Sequence, residues 1–168
     1  VTATITTGAV TTTLNAIGNV SASDVITFTT NDTSVDASDL VDLKAKVDTF
    51  GVNSITTITE AYNTANVATE VVDALNITGN TESVTITGGA ISAANLNTIA
   101  NATSGAVTAT ITSGAVTTTL NAITNVDAND VITFTTTDTT GVDASDLVAL
   151  SAKVDNFTRT SITGITEA

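Results

Sequence analysis

Acidic side chains are the first residues in this sequence that could do chemistry. Asp127, Asn129 and Asp130 stand together, followed by Asp138, Asp143 and Asp146, and a related set, Asp24, Asp32, Asp36, Asp39 and Asp42, lies earlier in the chain. Calcium takes roughly six to eight oxygen ligands, and turns that supply Asp, Asn and backbone carbonyls suit it. The calcium candidates are therefore Asp127, Asn129, Asp130 and Asp24. Two features weigh against them. Neither an EF-hand loop nor the glycine-rich nonapeptide of calcium β-rolls is present, and Ser21 and Ser23 stand where the later set has Asp127 and Asn129. The competing reading makes Asp36 and Asp143 helix caps and leaves the remaining acids to solvate the surface.

Catalysis has little else to work with. The chain has no histidine and no cysteine. Gly88, Gly89, Gly105 and Gly114 form no phosphate loop and read as turn residues. A paired-carboxylate hydrolase needs two acids at one fixed separation, whereas these acids recur along the chain. The expectation is a protein that is not an enzyme and has no cofactor beyond the calcium considered above.

The elements that must position these acids are short and alternate in kind. Val131, Ile132 and Phe134 among threonines suit a pleated strand. Val142, Leu147, Leu150, Val154 and Phe157 then fall at helical spacing. Asp143, with Asp146 three residues on, reads as a capping box with Asp in place of Glu. The same reasoning places strands at 1–5, 25–28, 54–58, 84–86, 107–111, 131–134 and 161–165. Helices follow at 10–17, 35–50, 60–76, 91–101, 116–123 and 142–157, the third with Ala61, Ala65, Ala68, Val72 and Leu75 on one face. No helix here is long enough to be stable alone, so packing on a sheet must hold each of them.

The chain is a repeat. Residues 1–34 return at 107–140 with 28 of 34 identical, and 35–61 return at 142–168 with 20 of 27 identical after an inserted Gly141. One long period of 106–107 residues (1–106) and part of a second (107–168) make one continuous array. Within it, strand–turn–helix units of about 23–33 residues recur, the size at which each repeat adds one strand to a parallel sheet. The fold class expected is α/β, a right-handed solenoid of strand–turn–helix coils resembling a leucine-rich repeat. The rival arrangement is a string of separate beads, but no Pro/Gly/Ser linker interrupts the array.

Composition bounds the partners. Seventeen acids against four basic residues give a formal charge of −13, which repels nucleic acid and anionic membranes. No apolar run approaches the ~20 residues of a membrane span, so direct membrane insertion is not expected, and no signal peptide is visible. The sequence begins at Val1 in mid-pattern, which suggests a segment of something longer. Threonine fills 40 of 168 positions. In Thr-x-Thr steps such as Thr27/Thr29, Thr85/Thr87, Thr108/Thr110 and Thr133/Thr135, alternate residues share one strand face. Stacked units would align these into ladders, open to three readings: a solvated face, a contact surface for self-association, or an array that binds glycan or ice.

The stretch VTITGGAISAANLNTIANATSGAV, at 84–107, with its Leu-Asn-Thr-Ile core, and ITGITEAYNTANV, assembled across the period from 161–168 and 58–67, resemble repeats in giant secreted cell-surface proteins of cyanobacteria, of adhesin or hemolysin type. The resemblance implies an extracellular, cell-surface or matrix location and roles in adhesion or surface-associated motility. It carries over no catalytic residue. The expected function is a structural repeat segment of a long cell-surface protein or self-assembling filament, partnered by identical copies or neighbouring repeats. The alternative is an adhesion module that uses its threonine face or acidic loops to bind glycan, ice or a calcium-bridged partner.

Overall fold

The computed structural model describes residues 1–21, 23–62 and 66–167. It is an α/β structure in which every strand pairing is parallel. Unit 1 holds β1 (Thr2–Thr4) and α1 (Val10–Ala16), and unit 2 holds β2 (Val25–Thr29), β3 (Ser34–Asp36) and α2 (Ala37–Lys44). Unit 3 holds β4 (Thr49–Gly51), β5 (Thr57–Ala61) and α3 (Val67–Thr78), and unit 4 holds β6 (Ser83–Ile91) and α4 (Ala93–Ala102). Units 5 to 7 repeat the first three: β7 (Val107–Ile111) with α5 (Val116–Ala122), then β8 (Val131–Thr135), β9 (Val142–Asp143) and α6 (Ala144–Ser151), then β10 (Asn156–Thr158) and β11 (Ile165–Thr166).

Alternation decides which strand residues face inward. In β2 and β8, Ile26, Phe28, Ile132 and Phe134 are buried, while Val25, Thr29, Val131 and Thr135 are exposed. The inward residues of successive units meet in register: Phe28 is paired with Phe50 and Phe134 with Phe157. Their rings lie 5.7 and 5.6 Å apart, both tilted by 37°. Offset aromatic pairs of this kind stabilise by ~0.5–1.5 kcal/mol beyond the area they bury. Helices pack in chain order, α1 on α2, α2 on α3, α3 on α4, α4 on α5 and α5 on α6. One cluster of buried Val, Ile, Leu, Ala and Phe runs from Val10 to Val154 between the strands and these helices.

Three ladders replace the single sheet expected from the sequence: β1-β2-β4, then β3-β5-β6-β7-β8-β10, then β9-β11. The cause is β6. Its first half pairs with β5, the second strand of unit 3, while its other edge pairs with β7, the first strand of unit 5. Between Thr85 and Ala90 the register shifts, at a bulge where Gly88 adopts φ +78°. A left-handed backbone suits glycine, and such a bulge bends the strand locally.

Helix ends also differ from the sequence expectation. The expected helix 35–50 is β3, α2 and β4, and the expected helix 142–157 is β9, α6 and β10. Val35 and Val142 are strand residues, and Phe157 is not the last residue of a helical stripe but a strand residue opposite Phe134. The expected helix 60–76 is α3, Val67–Thr78, buried through Val67, Val71, Ala74 and Leu75. Of the face expected there, Leu75 is buried, Ala68 packs at the edge of the core, Ala61 belongs to β5, and Ala65 lies outside the described residues.

Candidate functional site

The turn before β8 brings Asp127, Asn129 and Asp130 together. Asp127 Oδ1 accepts from the Asn129 N–H at 2.7 Å, and Asp130 Oδ2 accepts from the Asp127 N–H at 3.0 Å. The other oxygen of Asp130 accepts from the buried N–H of Val107, 2.7 Å away in the preceding unit. A calcium site needs oxygens converging on one point, whereas here N–H hydrogens converge on the carboxylates. The adjoining cleft, about 230 Å³, is lined by Asp127, Asp130, Ser151, Lys153 and Asp155. The Lys153 ammonium donates to the Val126 carbonyl at 2.5 Å. Asp24 is not part of this group. It is the counterpart of Asp130 in the first copy, accepting from the Val1 ammonium at 2.5 Å and the Ser21 N–H at 3.0 Å. The ammonium first, and then Ser21, hold its carboxyl down at about 2. Among the described residues no three His, Cys, Asp or Glu side chains gather to hold a metal.

The acids join units. Asp24, Asp48, Asp130 and Asp155 each sit immediately before a first strand. Like Asp24 and Asp130, Asp48 and Asp155 reach back to the strand of the previous unit, accepting from Ile26 N–H at 2.8 Å and Ile132 N–H at 2.9 Å. A second pair acts on helices. The N-cap residues of α1 and α5, Ala9 and Ala115, have no side-chain oxygen to offer. Asp32 and Asp138, each 22 residues further on, accept from the first helical N–H groups, Val10 and Val116, at 2.7 Å. The caps of these helices are therefore provided by the following unit. N-cap hydrogen bonds contribute about 1 kcal/mol each.

Two further roles were legible or half legible. Asp36 and Asp143 do cap α2 and α6, through Ser38 and Asp39 N–H in one copy and Ser145 and Asp146 N–H in the other. Asp39 and Asp146, the other acids of the expected capping boxes, accept from the hydroxyls of Thr11 and Thr117 in the preceding unit. Sequence reasoning missed Glu60, a buried carboxyl on β5 that accepts from Ser38 N–H at 3.2 Å. Burial, then the charges of Asp36 and Glu70, push it up to about 7. The signal for the strand-preceding acids was present, in an acid directly before Val25, Thr49, Val131 and Asn156 at the unit spacing.

The threonines form short rows across the strands. Thr4, Thr27 and Thr49 are in register, as are Thr110, Thr133 and Asn156, and Thr135 with Thr158. Their side chains point away from the core, as the Thr-x-Thr steps predicted. Val25, Val131 and Gly51 interrupt the rows. Inter-unit hydroxyl bonds add to them elsewhere: Thr59 and Thr163 donate to the carbonyls of Val35 at 3.2 Å and Thr139 at 2.9 Å. Comparison with known proteins finds no matching family model, no matching curated protein and no matching solved structure.

Proposed function

We propose that this chain is a non-enzymatic structural repeat segment, a right-handed α/β solenoid that lengthens an extracellular cell-surface protein or builds a self-assembling filament. The observation that carries this reading is that bonding runs from each unit to the next. Strand register and helix packing join neighbouring units, and so do the carboxylate bonds of Asp32, Asp48, Asp138 and Asp155, at separations of 22 or 23 residues. Stability then accumulates along the array, since each unit buries its Val/Ile/Leu layer only against its neighbours. Parallel strands ~4.8 Å apart make seven units roughly 30 Å long. Extracellular placement rests on the resemblance of the repeats to cyanobacterial adhesin- and hemolysin-type surface proteins. Negative-stain images of a tandem fusion of many copies of the chain test the reading: fibres of uniform width support the filament and monodisperse rods support a stalk. Featureless globules would sink both.

The threonine rows favour a second reading, an adhesion face for glycan or ice, because Thr27, Thr29, Thr133 and Thr135 project outward from paired strands. Changing these four to Lys removes binding to immobilised glycan or to ice if the face is adhesive. Unchanged binding by the variant sends that reading elsewhere on the surface.

A further inference from the structure

We propose that the edge formed by β1 and α1 is a docking surface for a unit with the sequence of residues 83–106, joined directly ahead of Val1 in a longer run of the same repeat. The inference rests on the array reading above and adds the partner and the register. Its basis is that the chain contains the same surface twice. Residues 1–17 and 107–123 differ only at Thr7 and Ser113. In the second copy the surface is covered: Val107, Ala109, Ile111 and Ile123 are buried beneath unit 4. In the first copy Val1, Ala3, Ile5, Ala16, Ile17 and Val20 line an open apolar cleft of about 360 Å³.

The covering unit supplies a complete set of partners. β6 pairs Val84 with Val107, Thr85 with Thr108, Ala90 with Thr110 and Ile91 with Ile111, and α4 packs on α5. The Thr112 N–H donates to the Ile91 carbonyl at 2.8 Å, and the Asn125 N–H donates to Asn97 Oδ1 at 2.7 Å. The counterparts waiting for these acceptors are the N–H groups of Thr6 and Asn19. Charge agrees. Residues 83–106 contain no Asp, Glu, Lys or Arg, nor do residues 1–23, and the charged side chain that lines the cleft, Asp24, has as its counterpart Asp130, which at the covered joint bonds to the Val107 N–H. A second molecule does not offer the same partner. Its own unit 4 is already paired on both edges, by β5 and β7, and its unit 7 and α6 face carry Asp146, Lys153, Arg159 and Glu167.

The test joins residues 62–106 ahead of Val1 in the full chain. Controls are a Gly-Ser extension of equal length and an added segment bearing Ile91→Asp and Leu96→Asp at its copied positions. Amide exchange at Thr6 and Asn19 is expected to slow by about 100-fold with the native extension only, with a rise in Tm. Equal exchange in all three chains overturns the inference. So does a concentration-dependent dimer of the parent chain that the extension abolishes, since the occupant would then be a second copy. Small-angle scattering of the parent separates the two levels. A parent that scatters as one folded body, with an extension that gives no protection, sinks the docking alone, whereas a parent that scatters as a string of separate beads sinks the array reading itself.

Discussion

Val107 and Val1 open almost the same phrase of sequence, yet Val107 is 0% exposed and Val1 82%. At the other end the positions reverse: Ile58 is 0% exposed and its counterpart Ile165 57%, because β5 is covered by β6 while β11 pairs only with β9. The first copy is open on its leading side and closed on its trailing side, and the second copy is the opposite. The comparison teaches that an inward-facing residue at an edge of this chain is buried only when a neighbouring unit covers it. A strand and a short helix bury one layer each only when another unit lies against them.

The sharpest way to break that comparison is to truncate the same side chain in both copies. Ile123→Ala should cost about 2–5 kcal/mol, because it empties a site closed by unit 4. Ile17→Ala should cost ~1 kcal/mol, because its site is already open to water. Urea unfolding of the two variants measures both, and equal losses would show that the edge is not as different as the geometry makes it.

The next largest contrast lies in the acids before the strands. Asp130→Ala strands the buried N–H of Val107 and should cost about 1–3 kcal/mol, the ordinary penalty for an unsatisfied buried donor. Asp24→Ala removes a bond to an exposed ammonium and should change the midpoint much less. If calcium held Asp130 and Asp127, chelator would lower the midpoint of the parent chain and leave Asp130→Ala unmoved. The bonding to N–H groups predicts no chelator effect on either.

A third contrast is one of pH. Glu60 has an ordinary value of 4.5 and is raised to about 7, chiefly by burial. Between those values the folded chain keeps a proton that the unfolded chain has released, so this group makes stability fall as pH rises through that window. Glu60→Gln should flatten the fall in Tm between pH 5 and pH 8. Glu167→Gln, the matched change at the open end, should leave it as it was.

Much of the fold could be read from the residues. The outward threonines, the inward Val-Ile-Phe positions and the caps at Asp36 and Asp143 depend on spacing within a few residues, and the duplication on direct recurrence of the same residues, both of which sequence displays. Helix ends were harder. Phe157 sits at a spacing that continues the stripe of Leu147, Leu150 and Val154, and nothing local says that the chain has turned back into a strand. Its pairing with Phe134, 23 residues away, settles the matter. The bonding at the candidate site was hidden for the same reason. The donor to Asp130, Val107 N–H, is also 23 residues distant, so the sequence shows the cluster of acids without the N–H groups that meet it.

By itself, then, the sequence determined the period, the α/β class and the identity of the inward and outward residues, since these follow from local periodicity and from near-exact repetition. Only the tertiary structure decided which copy's surface is buried, how β6 carries one ladder into the next, and what the carboxylates bind. Those outcomes depend on contacts between units, and a carboxylate one unit along the chain takes its meaning from the N–H group placed opposite it.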